Sequence, residues 1–81
     1  MKQHSFGDIA RIAADTWIWY CLKGHYGDVD YMPSLKKFQL IIGHDVSTDI
    51  PKCPLLENYQ CKISDDLVTQ NWKVYVIDLF I

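Results

Sequence analysis

The chain has 81 residues, 49% of them hydrophobic and 22% charged, with ten acidic side chains against eight basic ones and a formal net charge of −2. That length fits one domain, 1–81, with a small core, and the composition excludes a disordered or low-complexity chain. The charge balance lacks the basic excess of a nucleic-acid binder and is too mild for a chain that imitates DNA by charge.

Met1 opens the chain as an initiator would, and no apolar run is long enough for a signal peptide or a membrane span. A complete, cytoplasmic chain, of the source cell or of an infected host, is therefore the expectation. Three cysteines without a secretion signal fit reduced thiols better than a disulfide frame.

The first predicted element is a helix over about 6–23. Ser5 is a good N-cap, Asp8 follows three residues later as an acidic capping-box partner, and Lys23-Gly24 supplies a left-handed stop. At about 100° per residue, Phe6, Ile9, Ala10, Ala13, Trp17, Tyr20 and Cys21 share one apolar face, assigned here to the core. Asp8, Arg11 and Asp15 lie opposite, yet Ile12 and Trp19 fall beside them on the side that should be wet. Ile18 and Leu22 flank that side from the other direction. Either the domain wraps this end of the helix or part of it is left as a contact patch.

"HYGDVDYMPS", residues 25–34, follows. It reads as a surface loop, with a short edge strand at 28–32 ended by Pro33 as the alternative. Tyr26, Asp28, Asp30 and Tyr31 would suit an acidic-aromatic recognition surface, because tyrosine offers contact area at low entropy cost and aspartate selects for lysine or arginine.

"PSLKKFQLIIGHD" predicts a short second helix near 34–42, from Ser34 as cap, Leu35, Phe38 and Ile41 or Ile42 at helical spacing, and Gly43 as terminator. "FQLII" would also suit a strand. The stretch "SLKKFQLIIGHDVSTDI" resembles a helix-turn-helix, and with a C-terminal hairpin as wing the order is similar to a winged-helix domain. That resemblance implies a DNA-binding regulator with Lys36, Lys37, Ser47, Thr48 and Lys52 near DNA. Pro51 and Pro54 would stop its recognition helix, and Asp45 and Asp49 would face phosphates that repel them.

Residues 47–57 read as irregular because of two prolines. "NYQCKIS" alternates as a half-buried strand near 58–63, "DDLVTQN" reads as a turn, and "WKVYVIDLFI" closes the chain as a strong strand over 72–80. Trp72, Val74, Val76, Asp78 and Phe80 share one side of it. Because both sides are largely apolar, a central strand is expected, with a homodimer through this strand as the rival.

The expected architecture is thus α+β: a long N-terminal helix packed on a small antiparallel sheet, with a C-terminal β-hairpin and a short second helix. No catalytic set emerges. The His44-Asp45 pair lacks companion histidines, a His44, Ser47 and Asp49 triad has only adjacency behind it, and Cys21 with His25 sits at a helix C-terminus that disfavours a thiolate. Cys21, His25, His44, Cys53 and Cys61 could build a zinc-stabilised domain, but only Cys21 and His25 are closely spaced. No cofactor or metal is expected.

A small domain without a site usually works by its surface. The expected function is a non-catalytic inhibitor or adaptor that binds a host protein or complex with a basic surface. Size and composition suit the kind that mobile elements encode, such as anti-CRISPR, anti-restriction or immunity proteins. Ile12, Trp19, Tyr26, Asp28, Asp30 and Tyr31 are the expected contact residues, with aromatic anchors supplying affinity and carboxylates competing for a basic site such as a nucleic-acid-binding surface.

Overall fold

A computed structural model of the chain describes residues 4–81. Helix α1 runs Phe6–Leu22, and its ends are set by local chemistry. The Ser5 hydroxyl accepts from the Asp8 N–H at 3.2 Å, and the Asp8 carboxylate accepts from the Ser5 N–H at 3.2 Å, a closed capping box. At the other end Gly24 takes φ +84°, so that its N–H reaches the Cys21 carbonyl and that of His25 reaches the Tyr20 carbonyl. This reciprocal pair satisfies carbonyls the last turn would leave open.

The remainder is a four-stranded antiparallel sheet in the order β1-β2-β4-β3, with β1 Gly27–Met32, β2 Lys37–Asp45, β3 Cys61–Leu67 and β4 Trp72–Phe80. The edge-strand alternative for 28–32 is the one that forms, and Pro33 follows it into a single 3-10 turn at Pro33–Leu35. That turn is all that exists of the expected second helix near 34–42. Residues Lys37–Asp45 are extended because Phe38, Leu40 and Ile42 alternate at period two and pair on both sides, with β1 and with β4. The helix-turn-helix expectation falls with it, since its first helix is β2.

β4 spans the expected residues and lies between β2 and β3. Both its hydrogen-bonding edges are occupied, which closes the expected dimer route through this strand's edge; the sheet's open edges are β1 and β3. β3 begins three residues later than expected and takes in Asp65, Asp66 and Leu67, which read as turn, while Tyr59 lies ahead of it.

Residues directly paired across strands share a face. Facing α1 are Phe38, Leu40, Ile42 and His44 of β2, Lys73, Tyr75, Ile77 and Leu79 of β4, and Cys61, Ile63 and Asp65 of β3. Ile9, Ala13, Tyr20, Leu40, Ile42, Ile77 and Leu79 form the sealed core, joined by Cys53 and Leu56 from the long β2–β3 crossing. Each such aliphatic side chain contributes roughly 1.5–3 kcal/mol by leaving water. The crossing is tied down where the Tyr20 hydroxyl donates to the Pro51 carbonyl at 2.7 Å.

The buried helix face is Ile9, Ala13, Thr16 and Tyr20, rotated by roughly 50° from the expected one at 100° per residue. The rotation draws Ile12 and Trp19 against the core and leaves Phe6 and Trp17 partly exposed. Trp17 uses its indole N–H to hold the start of β1, donating to the Gly27 carbonyl at 2.9 Å.

Candidate functional site

The six expected contact residues do not make one patch. Ile12 and Trp19 pack against the core, and Trp19 meets Tyr20 edge-on at 4.9 Å with the Lys23 ammonium 4.6 Å above its ring. Both are half-buried, resting on the core with part of each side chain in solvent. Tyr31 lies on the helix side of β1 in an aromatic cluster with Phe6 and Phe38, at ring separations of 5.1 and 4.8 Å. Asp28 and Asp30 point to the other face of β1 and are exposed, and Tyr26, 73% exposed, stands just ahead of the strand.

That other face is the notable feature of the molecule. One helix can cover only one side of a four-stranded sheet, so among the described residues no helix lies over the outer side. Its registers place Asp28, Ile41, Val76 and Ser64 in one cross-strand row, and Gly43, Val74 and Asp66 in the next. Trp72 closes this end, 47% exposed, and Ile41 is exposed as well. At the opposite end Asp78 accepts from Gln39 at 3.0 Å and pairs with Lys37 at 3.2 Å, which settles that end internally. The open face is thus apolar in the middle, through Ile41, Val74, Val76 and Trp72, and acidic on balance at its rims, with Asp28 and Asp30 on β1 and Asp66 beside the exposed Lys62 on β3. No ion pair among the described residues neutralises those three aspartates.

Beside Trp72 the face dips into a shallow cleft of about 460 Å³ lined by His25, Tyr26, Gly43, Asp45, Thr48 and Trp72. A Cβ at Gly43 would stand 2.8 Å from the Trp72 indole nitrogen, so glycine is what lets the indole rest on the β2 backbone. At the cleft's rim Asp45 Oδ1 accepts from the Ser47 hydroxyl at 2.7 Å and the Ser47 N–H at 2.9 Å. Those two bonds, the hydroxyl's first, hold the Asp45 carboxyl below the usual carboxylate range.

The chemical candidates make internal contacts. His44, 4% exposed, has Nε2 2.7 Å from Asp65 Oδ1 and Nδ1 2.9 Å from the Asp45 carbonyl, so neither ring nitrogen is open to a substrate. Lys73 lies 3.4 Å from Asp65 Oδ2. Partial burial raises the Asp65 carboxyl, but the hydrogen bond and charge of His44, with Lys73, outweigh it and hold the carboxyl low. Ser47 is bound to Asp45 rather than to His44, which undoes the sequence triad.

All three cysteines are free thiols, and burial pushes that of Cys53 up. Among the described residues no three His, Cys, Asp or Glu side chains converge as metal ligands, so Cys21, His25, His44, Cys53 and Cys61 do not gather as a zinc site. No helix of the described residues is long and apolar enough to cross a membrane. Compared with protein-family models, curated proteins and solved structures, the chain matches none of them.

Sequence reasoning placed Asp28 and Asp30 on the surface but missed Trp72, Ile41, Val74 and Val76. The signal was present: Trp72, Val74 and Val76 alternate on one side of a strand in a chain with one long helix to spend as cover.

Proposed function

We propose that this chain is a small non-catalytic protein-binding module, an inhibitor or adaptor that covers a basic surface on another protein. The observation that supports it is the outer face of the sheet, with Ile41, Val74, Val76 and Trp72 in the centre and Asp28, Asp30 and Asp66 at the rims. An apolar centre ringed by charge is the anatomy of a docking surface, where desolvated side chains supply affinity and rim charges choose the partner. The rim is acidic on balance, three aspartates against Lys62, so the partner is basic; a nucleic-acid-binding groove is one such surface, and occluding it would be the mechanism. Direct nucleic-acid binding is disfavoured, because phosphates would meet Asp28, Asp30 and Asp66. The test is affinity capture from nuclease-treated lysate of the source or host cell, comparing the parent with Ile41→Lys on the sheet and Leu22→Ser on the helix. The proposal expects a stoichiometric protein retained by the parent and Leu22→Ser and lost by Ile41→Lys. Retention by all three would move the surface elsewhere.

A further inference from the structure

We propose that the cleft between Tyr26 and Trp72 is a receptor for a single arginine side chain presented by the partner's basic surface. This rests on reading the outer sheet face as the docking surface, and it names the group that enters it first.

The cleft combines three features that select a guanidinium. Its walls are aromatic and turned to solvent, with Tyr26 73% and Trp72 47% exposed, and arginine is the cation that stacks flat on such rings. Its floor is Gly43, whose missing side chain lets the Trp72 indole lie against the β2 backbone and stand as a wall of the cleft. Its rim carries Asp45, whose Oδ1 is occupied by Ser47 while Oδ2 carries no hydrogen bond from the described residues. The Ser47 turn fixes the carboxylate in place and favours its charged form. Among the described residues no lysine or arginine lines the cleft, whose basic side chains are His25 and His44. A phosphate or other anion would meet Asp45 there, and lysine, a compact strongly hydrated charge, would use the carboxylate but gain less from the two rings.

The experiment titrates the ¹⁵N-labelled protein with N-acetyl-arginine amide, N-acetyl-lysine amide and N-acetyl-citrulline amide, following the Trp72 indole N–H and the Gly43 amide. Citrulline has arginine's shape without its charge. The arginine compound is expected to move both signals saturably, the lysine compound with a weaker midpoint, and the citrulline compound not at all. Asp45→Asn keeps an oxygen to accept from Ser47, so the turn survives. It should weaken arginine binding by about tenfold or more, the loss expected for one charge-assisted hydrogen bond. Tyr26→Ala, at an exposed position, should weaken it as well. Equal midpoints for arginine and citrulline, or unmoved Trp72 and Gly43 signals, overturn the proposal. A partner lost by Ile41→Lys but held normally by Asp45→Asn and Tyr26→Ala sinks the arginine pocket alone. A partner held by Ile41→Lys while the arginine compound still fills the cleft sinks the docking face instead.

Discussion

Replacing Tyr20 by phenylalanine removes one hydroxyl and nothing else. Its ring has no exposed surface, and the hydroxyl donates to Pro51 at 2.7 Å across 31 residues of chain. Burial, with Tyr75 beside it, holds the phenol well above its usual range, which favours its protonated, donating form. A neutral hydrogen bond contributes about 1 kcal/mol net, and stranding a sealed acceptor can cost about 3. Pro51 is exposed, so water can replace the lost donor, and the lower figure applies. Tyr20→Phe should therefore cost about 1 kcal/mol, lowering Tm by roughly 4–8 °C in a domain of this size. Thermal unfolding by circular dichroism reads the loss. Amide hydrogen exchange should show 47–53 opening faster, by more than the global change accounts for. An unchanged Tm with unchanged exchange in that segment would refute the view that this bond pins the β2–β3 crossing.

The Thr16 hydroxyl is buried with no oxygen or nitrogen partner and only the weak Cys53 thiol beside it, so Thr16→Val should stabilise the domain by about 1 kcal/mol in urea titration; a loss would mean that the thiol contact holds the hydroxyl. Trp19→Ala should cost roughly 2 kcal/mol, less than the 3–5 of a fully buried aromatic, whereas Trp72→Ala should stay under about 1; equal losses would contradict the assigned faces. Asp65 is held below its unfolded range, so its ionised form stabilises the fold. That contribution is complete above about pH 4 and vanishes as pH falls through the lower folded value. Asp65→Asn should accordingly be less stable than the parent at pH 6, with the gap narrowing toward pH 3, as read by urea unfolding at both; a gap that widens in acid contradicts the pairing with His44 and Lys73.

What the sequence made legible was mostly local. Ser5, Asp8 and Gly24 define α1 because capping is settled within a few residues, and "WKVYVIDLF" is a strand wherever it lies. Residues 34–42 were ambiguous for a physical reason. Leu35, Phe38 and Ile41 satisfy a helical period, Phe38, Leu40 and Ile42 satisfy a strand's, and the decision comes from pairing with β1 and with distant β4. The helix rotation was hidden because its buried face includes Thr16, a residue hydropathy does not assign to a core. Of the proposed site, the exposed Asp28 and Asp30 were readable from β1. The uncovered face was not, because it follows from how many elements are available to cover the sheet rather than from any one segment.

The most direct test of the account is calorimetric titration of the captured partner with the parent and with an Ile41→Lys, Val76→Lys double variant, at low and moderate salt. Two like charges placed in the centre of the face should abolish a stoichiometric, salt-sensitive complex while circular dichroism still reports the parent fold. A folded double variant that binds with the parent's affinity would contradict the account and remove the sheet face from it.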